Sequence, residues 1–380
     1  MSDPRPLATA QIDHTALAHN VSVVRSATDD TPIMAVVKAD AYGHGELEIS
    51  RSLLASGVRE LGVCTVAEAL RLRRGGITAP VLSWLNTIDA DLVGAVQADV
   101  QVAVASPTMV SALVDAAGAA GRTAVVTVKF DSGLFRNGIT ADEWPEVLAD
   151  LVRGERAGAL RLHGMMTHFA CADQPGDPSI ERQAAEFAAA VARAREAGLD
   201  PQVLHAANSA ATLTRPDLHL DMVRPGIALY GISPMPEVDD FDLRPVMRLS
   251  GRLVRVKKAR AGERVSYGHT WTVPEDTVLG VVPLGYADGV RRGLSGRFHV
   301  RVAGADRPAV GRVCMDQFVV DLGADTTAAE GDEVVLFGDP RRGEPAAQRW
   351  ADLLDTIGYE MVTGIGSRVT RRHTGGIDGR

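Results

Sequence analysis

Lys38 occupies a position where a lysine can act as a nucleophile. It follows directly on the apolar run Met34–Val37, and Gly43 and Gly45 come shortly after it and permit a tight turn. An amine at the end of a buried strand is partly desolvated, which lowers its pKa and leaves more of it neutral. A neutral lysine can form a Schiff base with an aldehyde, and the commonest aldehyde cofactor is pyridoxal phosphate. The alternative is a lysine that extends from the strand end into solvent.

Further candidate residues lie at or near the ends of later apolar runs of the chain, and most of them are polar. They are Lys129, Arg136, His168, Asn208, Ser209, Arg224, Gly226, Ile227 and Tyr230. A single residue of this kind is more often structural, as is usual for a histidine at a strand end. Together, however, these residues would bring lysine, arginine, histidine and tyrosine to one edge of a sheet.

The elements that must position these residues are eight short apolar runs that alternate with helical patterns. The runs are Met34–Val37, Leu61–Cys64, Pro80–Leu85, Val100–Ala105, Ala124–Phe130, Leu162–Phe169, Val203–Ala206 and Met222–Leu229. Eight strands alternating with helices over about 200 residues predict an α/β fold of the (β/α)8 barrel type. An open doubly wound sheet also alternates, but usually with fewer strands, and no Gly-x-Gly-x-x-Gly follows any run.

A barrel of this type often binds phosphate at the loops after its seventh and eighth strands. Ser209 begins a predicted helix whose N–H groups can face an anion, and Gly226 permits close approach of the backbone. The alternative assigns Ser209 to a helix cap and Gly226 to a turn. These two residues alone do not decide between the two interpretations.

The pattern changes near residue 235, where helical segments give way to strands punctuated by glycine. The predicted strands are Arg252–Lys257, Val278–Val282, Phe298–Val302 and Val334–Phe337, and one helix is predicted over Ala346–Thr356. This pattern indicates a mainly antiparallel β domain. We therefore predict a barrel domain over residues 1–240 and a β domain over residues 241–380.

Composition excludes several classes of function. The net charge is −8, and no basic run is long enough for a nucleic-acid or anionic-lipid surface. No apolar run approaches the roughly 20 residues that span a bilayer, and the N-terminus lacks the apolar core of a signal peptide. Cys64, Cys171 and Cys314 are far apart and form neither a metal-ligand spacing nor a disulfide framework. The sequence therefore predicts a cytoplasmic protein with no metal, no nucleic-acid partner and no membrane contact.

Nine motifs, in order along nearly the whole chain, resemble those of the alanine racemases, which are pyridoxal-phosphate enzymes built from a (β/α)8 barrel and a β domain. The motifs are Ala35–Gly45, Lys129–Gly138, Met165–Ala170, His205–Ala211, Arg224–Gly231, Ser266–Trp271, Gly285–Gly289, Val310–Gln317 and Thr356–Glu360. One such motif could arise by chance, but nine in sequence order identify the chain as a member of the family.

The resemblance also implies a role for individual residues. Lys38 would carry the cofactor and act as one catalytic base, and Tyr267, donated by the partner subunit of a homodimer, would be the base on the opposite face. Residues implied to hold the cofactor are Lys38, Tyr42, Arg136, His168, Asn208, Ser209, Arg224, Gly226, Ile227 and Tyr359. The substrate carboxylate would meet Arg136 and Met315, and Tyr286 would line the entrance. In some members the lysine that corresponds to Lys129 is carbamylated.

The implied activity is interconversion of L- and D-alanine on a pyridoxal phosphate aldimine, which supplies D-alanine for bacterial cell-wall peptidoglycan. An arginine at the ring nitrogen, with a pKa above 12, does not give its proton to the ring, which favours racemisation over transamination. A decarboxylase of the same architecture would have an acidic residue at Arg224. A protein that only stores the cofactor would need neither Tyr267 nor a second domain. A racemase of broader range, for example one that accepts serine, stays open.

Overall fold

The computed structural model describes residues 6–238 and 241–376. They form two compact units, one with residues 17–41, 45–238 and 241–243, the other with residues 6–16, 42–44 and 244–376. The predicted division after residue 240 falls on residues outside the described part. That the barrel domain binds the cofactor and the β domain contributes to the partner's active site stays a prediction. Residues 6–16 belong to the second unit.

The first unit is built on a parallel sheet of seven strands in which chain neighbours are sheet neighbours. Strand β1 (Ala8–Asp13) lies in the second unit, and the parallel strands are β2 (Met34–Val36), β3 (Glu60–Val63), β4 (Val81–Ser83), β5 (Val100–Val104), β6 (Ala124–Lys129), β7 (Leu160–Met166) and β8 (Val203–His205). Most of their residues are buried, as expected of parallel strands covered on both faces. The predicted α/β barrel class is confirmed.

The sheet closes through residues 222–225, which take the eighth position without forming a regular strand. The amide of Met34 donates to the Val223 carbonyl over 2.9 Å, and the amide of Arg224 donates to the Ala207 carbonyl over 2.9 Å. The predicted eighth strand, Met222–Leu229, is wrong in its second half. Pro225 has no N–H to continue a ladder, and the backbone turns at Gly226 into a 3-10 helix over Ile227–Tyr230.

Helices connect these strands, and some of them begin with a side chain that caps the first turn. They are α1 (His14–Ala27), α2 (Lys38–Gly43), α3 (Glu46–Ala55), α4 (Val66–Arg74), α5 (Leu92–Gln97), α6 (Pro107–Ala120), α7 (Trp144–Arg156), α8 (Ser179–Glu196) and α9 (Ser209–Thr214). For example, α4 begins with a capping box in which Thr65 and Glu68 bond each other's backbone amides. No helix among the described residues is long and apolar enough to cross a membrane.

Helix α2 is a left-handed turn, which the sequence does not predict. Ala39, Asp40, Ala41 and Tyr42 all have φ between 52° and 56°, ahead of Gly43 at 80°. Each non-glycine residue in this conformation costs roughly 1–2 kcal/mol. The glycines therefore end the turn rather than provide its strained part, and the rest of the fold must stabilise that strain.

The second unit contains a nine-stranded sheet with the order β10-β13-β16-β15-β14-β17-β9-β1-β18. Its remaining strands are β9 (Met247–Arg252), β10 (Arg255–Ala259), β13 (Thr277–Val282), β14 (His299–Val302), β15 (Ala305–Val310), β16 (Phe318–Asp321), β17 (Glu333–Phe337) and β18 (Thr370–Thr374), with β11 (Arg264–Val265) and β12 (Trp271–Thr272) as a separate pair. All pairings in the large sheet are antiparallel except that of β1 with β18. The predicted antiparallel β domain is confirmed.

One predicted strand of this unit is wrong, and its helix is correct. The run Arg252–Lys257 is divided, because β9 ends at Arg252 and β10 begins at Arg255 on the other side of a bend. Helices α10 (Ala347–Leu354) and α11 (Gly358–Thr363) follow the sheet. Trp350 of α10 packs edge-on against the rings of Phe298 and Phe337, with centroids 5.4 and 5.3 Å away, and so anchors the helix to the core.

Candidate active site

The carboxyl ends of the barrel strands bring together five of the predicted residues. Lys38 follows β2, Lys129 ends β6, Arg136 lies in the loop after β6, His168 follows β7, and Arg224 lies at the eighth position. Burial first, and then the positive charge of other members of the group, lower the pKa values of Lys38, Lys129 and His168. We call these five residues the barrel-end cluster.

Arg224 is the most constrained member of the cluster. Its Nη2 donates to the carbonyl oxygens of Thr167 (2.6 Å) and Ala206 (3.1 Å), and its Nη1 donates to Nδ1 of His205 over 3.1 Å. Burial lowers the pKa of Arg224 to about 9, so the guanidinium is still charged at neutral pH. The Nε hydrogen and one Nη1 hydrogen have no acceptor among the described residues and are available to a ligand.

The two histidines beside Arg224 are held neutral. Burial, followed by the charge of Arg224, lowers the pKa of His168 and of His205 well below the usual range. Because His205 accepts a hydrogen bond from Arg224, its Nδ1 carries no proton. His168 Nδ1 lies 3.5 Å from Arg224 Nη2, which extends the same arrangement. Two neutral imidazoles therefore flank one buried cation.

Burial also lowers the pKa of both lysines. For Lys38 burial acts first, Cys64 and Glu68 oppose it, and Arg136 adds to it. For Lys129, only 7% exposed, burial and the charges of Arg136, Arg224 and Lys38 lower the pKa to about 8. A neutral amine is the nucleophilic form of lysine, so Lys38 meets the chemical requirement predicted for it.

Glu68 holds the backbone beside Lys38, and the sequence analysis did not single it out. Its carboxylate accepts the amide of Ala39 over 2.9 Å, the amide of Cys64 over 2.7 Å and the amide of Thr65 over 3.0 Å. The bond to Ala39 reaches the first residue of the left-handed turn. The capping motif at Thr65 is a sequence signal for the local role of this glutamate. No sequence signal indicates its hydrogen bond to Ala39, the residue after Lys38.

The Ser209 loop and the Gly226 loop are joined by hydrogen bonds. Ser209 Oγ accepts the amide of Gly226 over 2.8 Å and the amide of Ala228 over 3.4 Å, which leaves the hydroxyl hydrogen to donate elsewhere. Asn208 caps α9 by accepting the amide of Ala211. Ile227 begins the buried 3-10 helix that follows. A phosphate bound here would share the Gly226 amide with Ser209.

The second unit holds the other predicted residues in two places. Tyr42 and Tyr359 form a pair whose ring centroids lie 6.3 Å apart, and burial together with Tyr359 raises the pKa of Tyr42. Tyr267, Tyr286 and Met315 are 72%, 42% and 53% exposed. We call these three residues the aromatic surface.

Backbone contacts hold the aromatic surface in shape although its side chains are exposed. The amides of Tyr286 and Ala287 donate to the carbonyls of Cys314 and Met315, each over 3.0 Å. A Cβ at Gly285 would lie 2.2 Å from the Met315 carbonyl, so only glycine permits this approach. The Tyr267 hydroxyl has no hydrogen bond to any described residue, so its own chain leaves the phenol open to a partner.

Comparisons with known proteins match both units. The family model described as "Alanine racemase, N-terminal domain" matches residues 12–234, and the one described as "Alanine racemase, C-terminal domain" matches residues 246–373. The chain belongs to the alanine racemase family. Members of this family are pyridoxal-phosphate-dependent isomerases that interconvert L- and D-alanine, so the predicted family, activity and cofactor are confirmed.

Individual relatives resemble the chain over almost its whole length. The alanine racemase of Mycolicibacterium smegmatis is 52% identical over 376 residues, which is 98% of this chain and 97% of that protein. The alanine racemase of Mycobacterium leprae is 52% identical over 371 residues, with 97% and 96% covered. The crystal structure of alanine racemase from D-cycloserine-producing Streptomyces lavendulae has a TM-score of 0.96 at 44% identity, with 99% of both chains covered. These relatives do not favour the alternative of a racemase with a broader range.

The barrel-end cluster of this alanine racemase fits the anionic cofactor. Lys129, Arg136 and Arg224 carry positive charge next to one another, and their mutual effect on the pKa of Lys129 shows that an anion would stabilise them. The open Nε hydrogen of Arg224 suits an acceptor such as a pyridine nitrogen, and the Ser209 hydroxyl hydrogen suits a phosphate oxygen. Among the described residues, no group of three His, Cys, Asp or Glu side chains is arranged to hold a metal ion.

Trp84 belongs to the core of the barrel. It packs on a cluster of buried residues that includes Met34, Leu82 and Met166, and a Cβ at Gly62 would lie 2.4 Å from its ring. Gly62 therefore makes room for the indole. This position favours the interpretation of Trp84 as a core residue over that of a pocket floor.

Gln183 of α8 is a further residue that the sequence analysis missed. Its Oε1 accepts the amide of Ala170 over 2.9 Å, and its Nε2 donates to the His168 carbonyl over 3.1 Å. The available sequence signal was a glutamine at helical spacing from the apolar residues Ile180 and Phe187, and in the structure Gln183 is 3% exposed. Gln183 fixes the loop that carries His168.

Proposed function

We propose that this alanine racemase works with two bases, Lys38 on one face of the substrate and Tyr267 of a second subunit on the other. The observation that carries the proposal is the buried, charged Arg224, which stands where a decarboxylase would have an acid. Pyridoxal phosphate, when bound, supplies the electron-withdrawing ring that acidifies the Cα–H bond. Lys38 takes or returns the proton at Cα on its face, aided by the lowered pKa of its amine.

The other residues bind and orient in this proposal. Arg224 would donate a hydrogen bond to the ring nitrogen and would keep its own proton, which would favour racemisation over transamination. Arg136 and the Met315 backbone hold the substrate carboxylate, and Tyr286 lines the entrance. The residues proposed to hold the phosphate are Tyr42, Ser209, Gly226, Ile227 and Tyr359, with Asn208 fixing the Ser209 helix and His168 set beside Tyr267.

A phenol with a pKa near 10 needs neighbouring positive charge to act as a base. The Tyr267 hydroxyl finds no partner among the described residues, which supports a shared site in a homodimer. In that dimer the charge of Arg224 would reach Tyr267 through His168. The setting we propose is the bacterial cytoplasm, where the product D-alanine enters cell-wall peptidoglycan.

Lys129 is proposed to react with carbon dioxide and form a carbamate. Its amine is neutral more often than that of an ordinary lysine, because burial and three neighbouring cations lower its pKa to about 8. A carbamate would replace a buried cation with an anion next to Arg136 and would hold that arginine in place. The reaction joins the lysine nitrogen to the carbon of carbon dioxide and releases one proton.

Hybrid dimers test the shared site. Lys38→Ala and Tyr267→Phe are each expected to be inactive, but a mixture that exchanges subunits should regain activity, because a hybrid dimer has one site with both bases. Racemisation of L-alanine is measured before and after mixing, and subunit exchange is verified with a tagged chain. Mixing Lys38→Ala with itself is the control. Absence of recovery despite proven exchange would refute the shared site.

A further inference from the structure

Arg371 of β18 is an arginine that the proposed reaction does not use. Its guanidinium donates to four backbone carbonyls, from Nε to Gly43 over 3.1 Å, from Nη1 to Val369 over 2.9 Å and to Gly366, and from Nη2 to Ile365 over 2.6 Å. All these residues belong to the second unit. Such a convergence of carbonyls on one side chain suits the planar fork of arginine, which presents five donors in fixed directions.

The carbonyls that Arg371 binds come from two segments, and each segment carries one tyrosine of the pair Tyr42 and Tyr359. Gly43 directly follows Tyr42 and ends the left-handed turn. Ile365 and Gly366 follow α11, which carries Tyr359. Arg371 is therefore a direct connection between the backbone behind one ring and the backbone behind the other.

The two segments also touch each other, which makes their relative position sensitive to Arg371. A Cβ at Gly43 would lie only 2.7 Å from the carbonyl oxygen of Val362 in α11, so the two backbones are already as close as glycine permits. The ring centroids of Tyr42 and Tyr359 lie 6.3 Å apart, so a shift of either segment changes the separation of the two rings. The left-handed turn is strained, and without a fixed partner it can relax away from this position.

We propose that Arg371 is a positioning residue that sets the affinity of the enzyme for the phosphate of its cofactor. It does so by holding Tyr42 and Tyr359 at the separation at which both hydroxyls meet one phosphate. This inference rests on the proposed function of the two tyrosines as phosphate ligands. Arg371 itself touches neither cofactor nor substrate in this proposal.

The test compares the binding of two cofactor forms to the apoenzyme. Dissociation constants of pyridoxal phosphate and of pyridoxal, which lacks the phosphate, are measured by fluorescence titration for the parent, Arg371→Met, Arg371→Lys and Arg372→Met. Arg372 is the matched control, because it is the adjacent arginine of the same strand and is exposed. We expect Arg371→Met to weaken the binding of pyridoxal phosphate by about tenfold or more and the binding of pyridoxal by less than about twofold. Arg371→Lys should lie between, and Arg372→Met should match the parent.

A purely structural role predicts a different result. In that case Arg371→Met would lower the melting temperature of the apoenzyme and would weaken the binding of pyridoxal phosphate and of pyridoxal equally, or weaken the binding of neither. Either outcome would overturn the proposal. Should Arg371→Met fail to fold, Arg371→Lys decides by the same ratio of the two dissociation constants. Saturating pyridoxal phosphate should restore most of kcat in the Arg371 variants, since the reacting groups are intact.

Tyr42→Phe separates failure of this inference from failure of the proposed function. If Tyr42→Phe leaves the affinity for pyridoxal phosphate unchanged, Tyr42 is not a phosphate ligand and the proposal falls with that assignment. If Tyr42→Phe weakens binding but Arg371→Met does not, only the role of Arg371 is refuted. In the double variant, we expect a loss smaller than the product of the two single losses, because both changes remove the same contact.

Discussion

The barrel-end cluster and the aromatic surface differ in how completely their own chain builds them. Arg224 is buried and bonded to carbonyls and an imidazole, and Lys129 is nearly inaccessible. Tyr267, in contrast, is mostly exposed and its hydroxyl has no partner among the described residues. A group that is already surrounded can be tuned by its own fold, whereas an exposed phenol must obtain its electrostatic environment from another molecule. The difference supports the proposal that one chain supplies the groups that hold the cofactor and a second chain supplies the second base.

The largest expected effect tests whether the two regions supply bases to opposite faces. Tyr267→Ala should slow proton abstraction from L-alanine by about 10²–10⁴-fold and affect D-alanine far less, because one general base is lost. Lys38→Ala, with methylamine added to replace the amine, should show the reverse. Exchange of Cα hydrogen for deuterium in each enantiomer measures both. Equal losses for both enantiomers in both variants would mean that one base serves both faces, and Tyr267 would lose its role.

A second prediction compares the two regions by stability. Arg224→Met leaves two carbonyls and one imidazole nitrogen without a donor in a buried place, which should lower the free energy of unfolding by on the order of 3–5 kcal/mol. Tyr267→Ala changes an exposed side chain and should change the free energy of unfolding by no more than about 0.5 kcal/mol. Urea unfolding of the apoenzymes at one fixed protein concentration gives both values. Similar losses of unfolding free energy in the two variants would contradict the difference between the barrel-end cluster, which its own chain surrounds, and the exposed aromatic surface.

The smallest expected effect is a pH dependence of the free energy of unfolding that comes from Lys129 in the barrel-end cluster. Its pKa is about 8 in the folded chain, below the 10.5 of a free lysine. The unfolded chain therefore binds more protons between these values, and the free energy of unfolding should rise with pH from about 8 to about 10.5. The expected rise in the free energy of unfolding is roughly 2 kcal/mol, which is less than the whole difference between the two pKa values would give.

Lys129→Met serves as the control for this pH dependence. In buffer free of carbon dioxide, the variant should lack the rise, and the difference between parent and variant isolates the contribution of Lys129. Added bicarbonate should flatten the parent curve if the carbamate forms, because the amine then no longer titrates. Parent and variant curves that run parallel in both buffers would show that Lys129 is not buried as a cation.

The sequence predicts the parts of this molecule that depend on local pattern. Buried parallel strands are continuous apolar runs, and Pro107 and Thr65 mark the starts of α6 and α4, so the barrel and most helix ends follow from the chain. Residues at strand ends, such as Lys38 and Arg224, could be placed together because parallel strands share one edge. The resemblance to the family then assigned each a role.

What the sequence could not supply depends on contacts between distant segments. Glu68 accepts the amide of Ala39 and Arg371 donates to the carbonyl of Gly43, and nothing in the sequence around Glu68 or Arg371 indicates these two distant partners. Ala39 and Tyr42 have no glycine-like preference, so their left-handed conformation is imposed by the fold rather than encoded locally. Strand β1 escaped prediction because Ala8–Asp13 alternates only weakly and its two partners lie more than 200 residues away.

The pairing of β1 with β9 and β18 has a consequence for the synthesis of the protein. β1 leaves the ribosome first, yet its antiparallel partner begins at Met247 and its parallel partner at Thr370. At about 5–20 residues per second, translation leaves the first strand unpaired for roughly tens of seconds. Strand β1 thus has no partner in this sheet until Met247–Arg252 has been made, and its second partner follows only with Thr370–Thr374. Chaperones in the cell should therefore act on β1 while its partners are still being made, and a chain stalled before Thr370 would leave β1 without its neighbour β18.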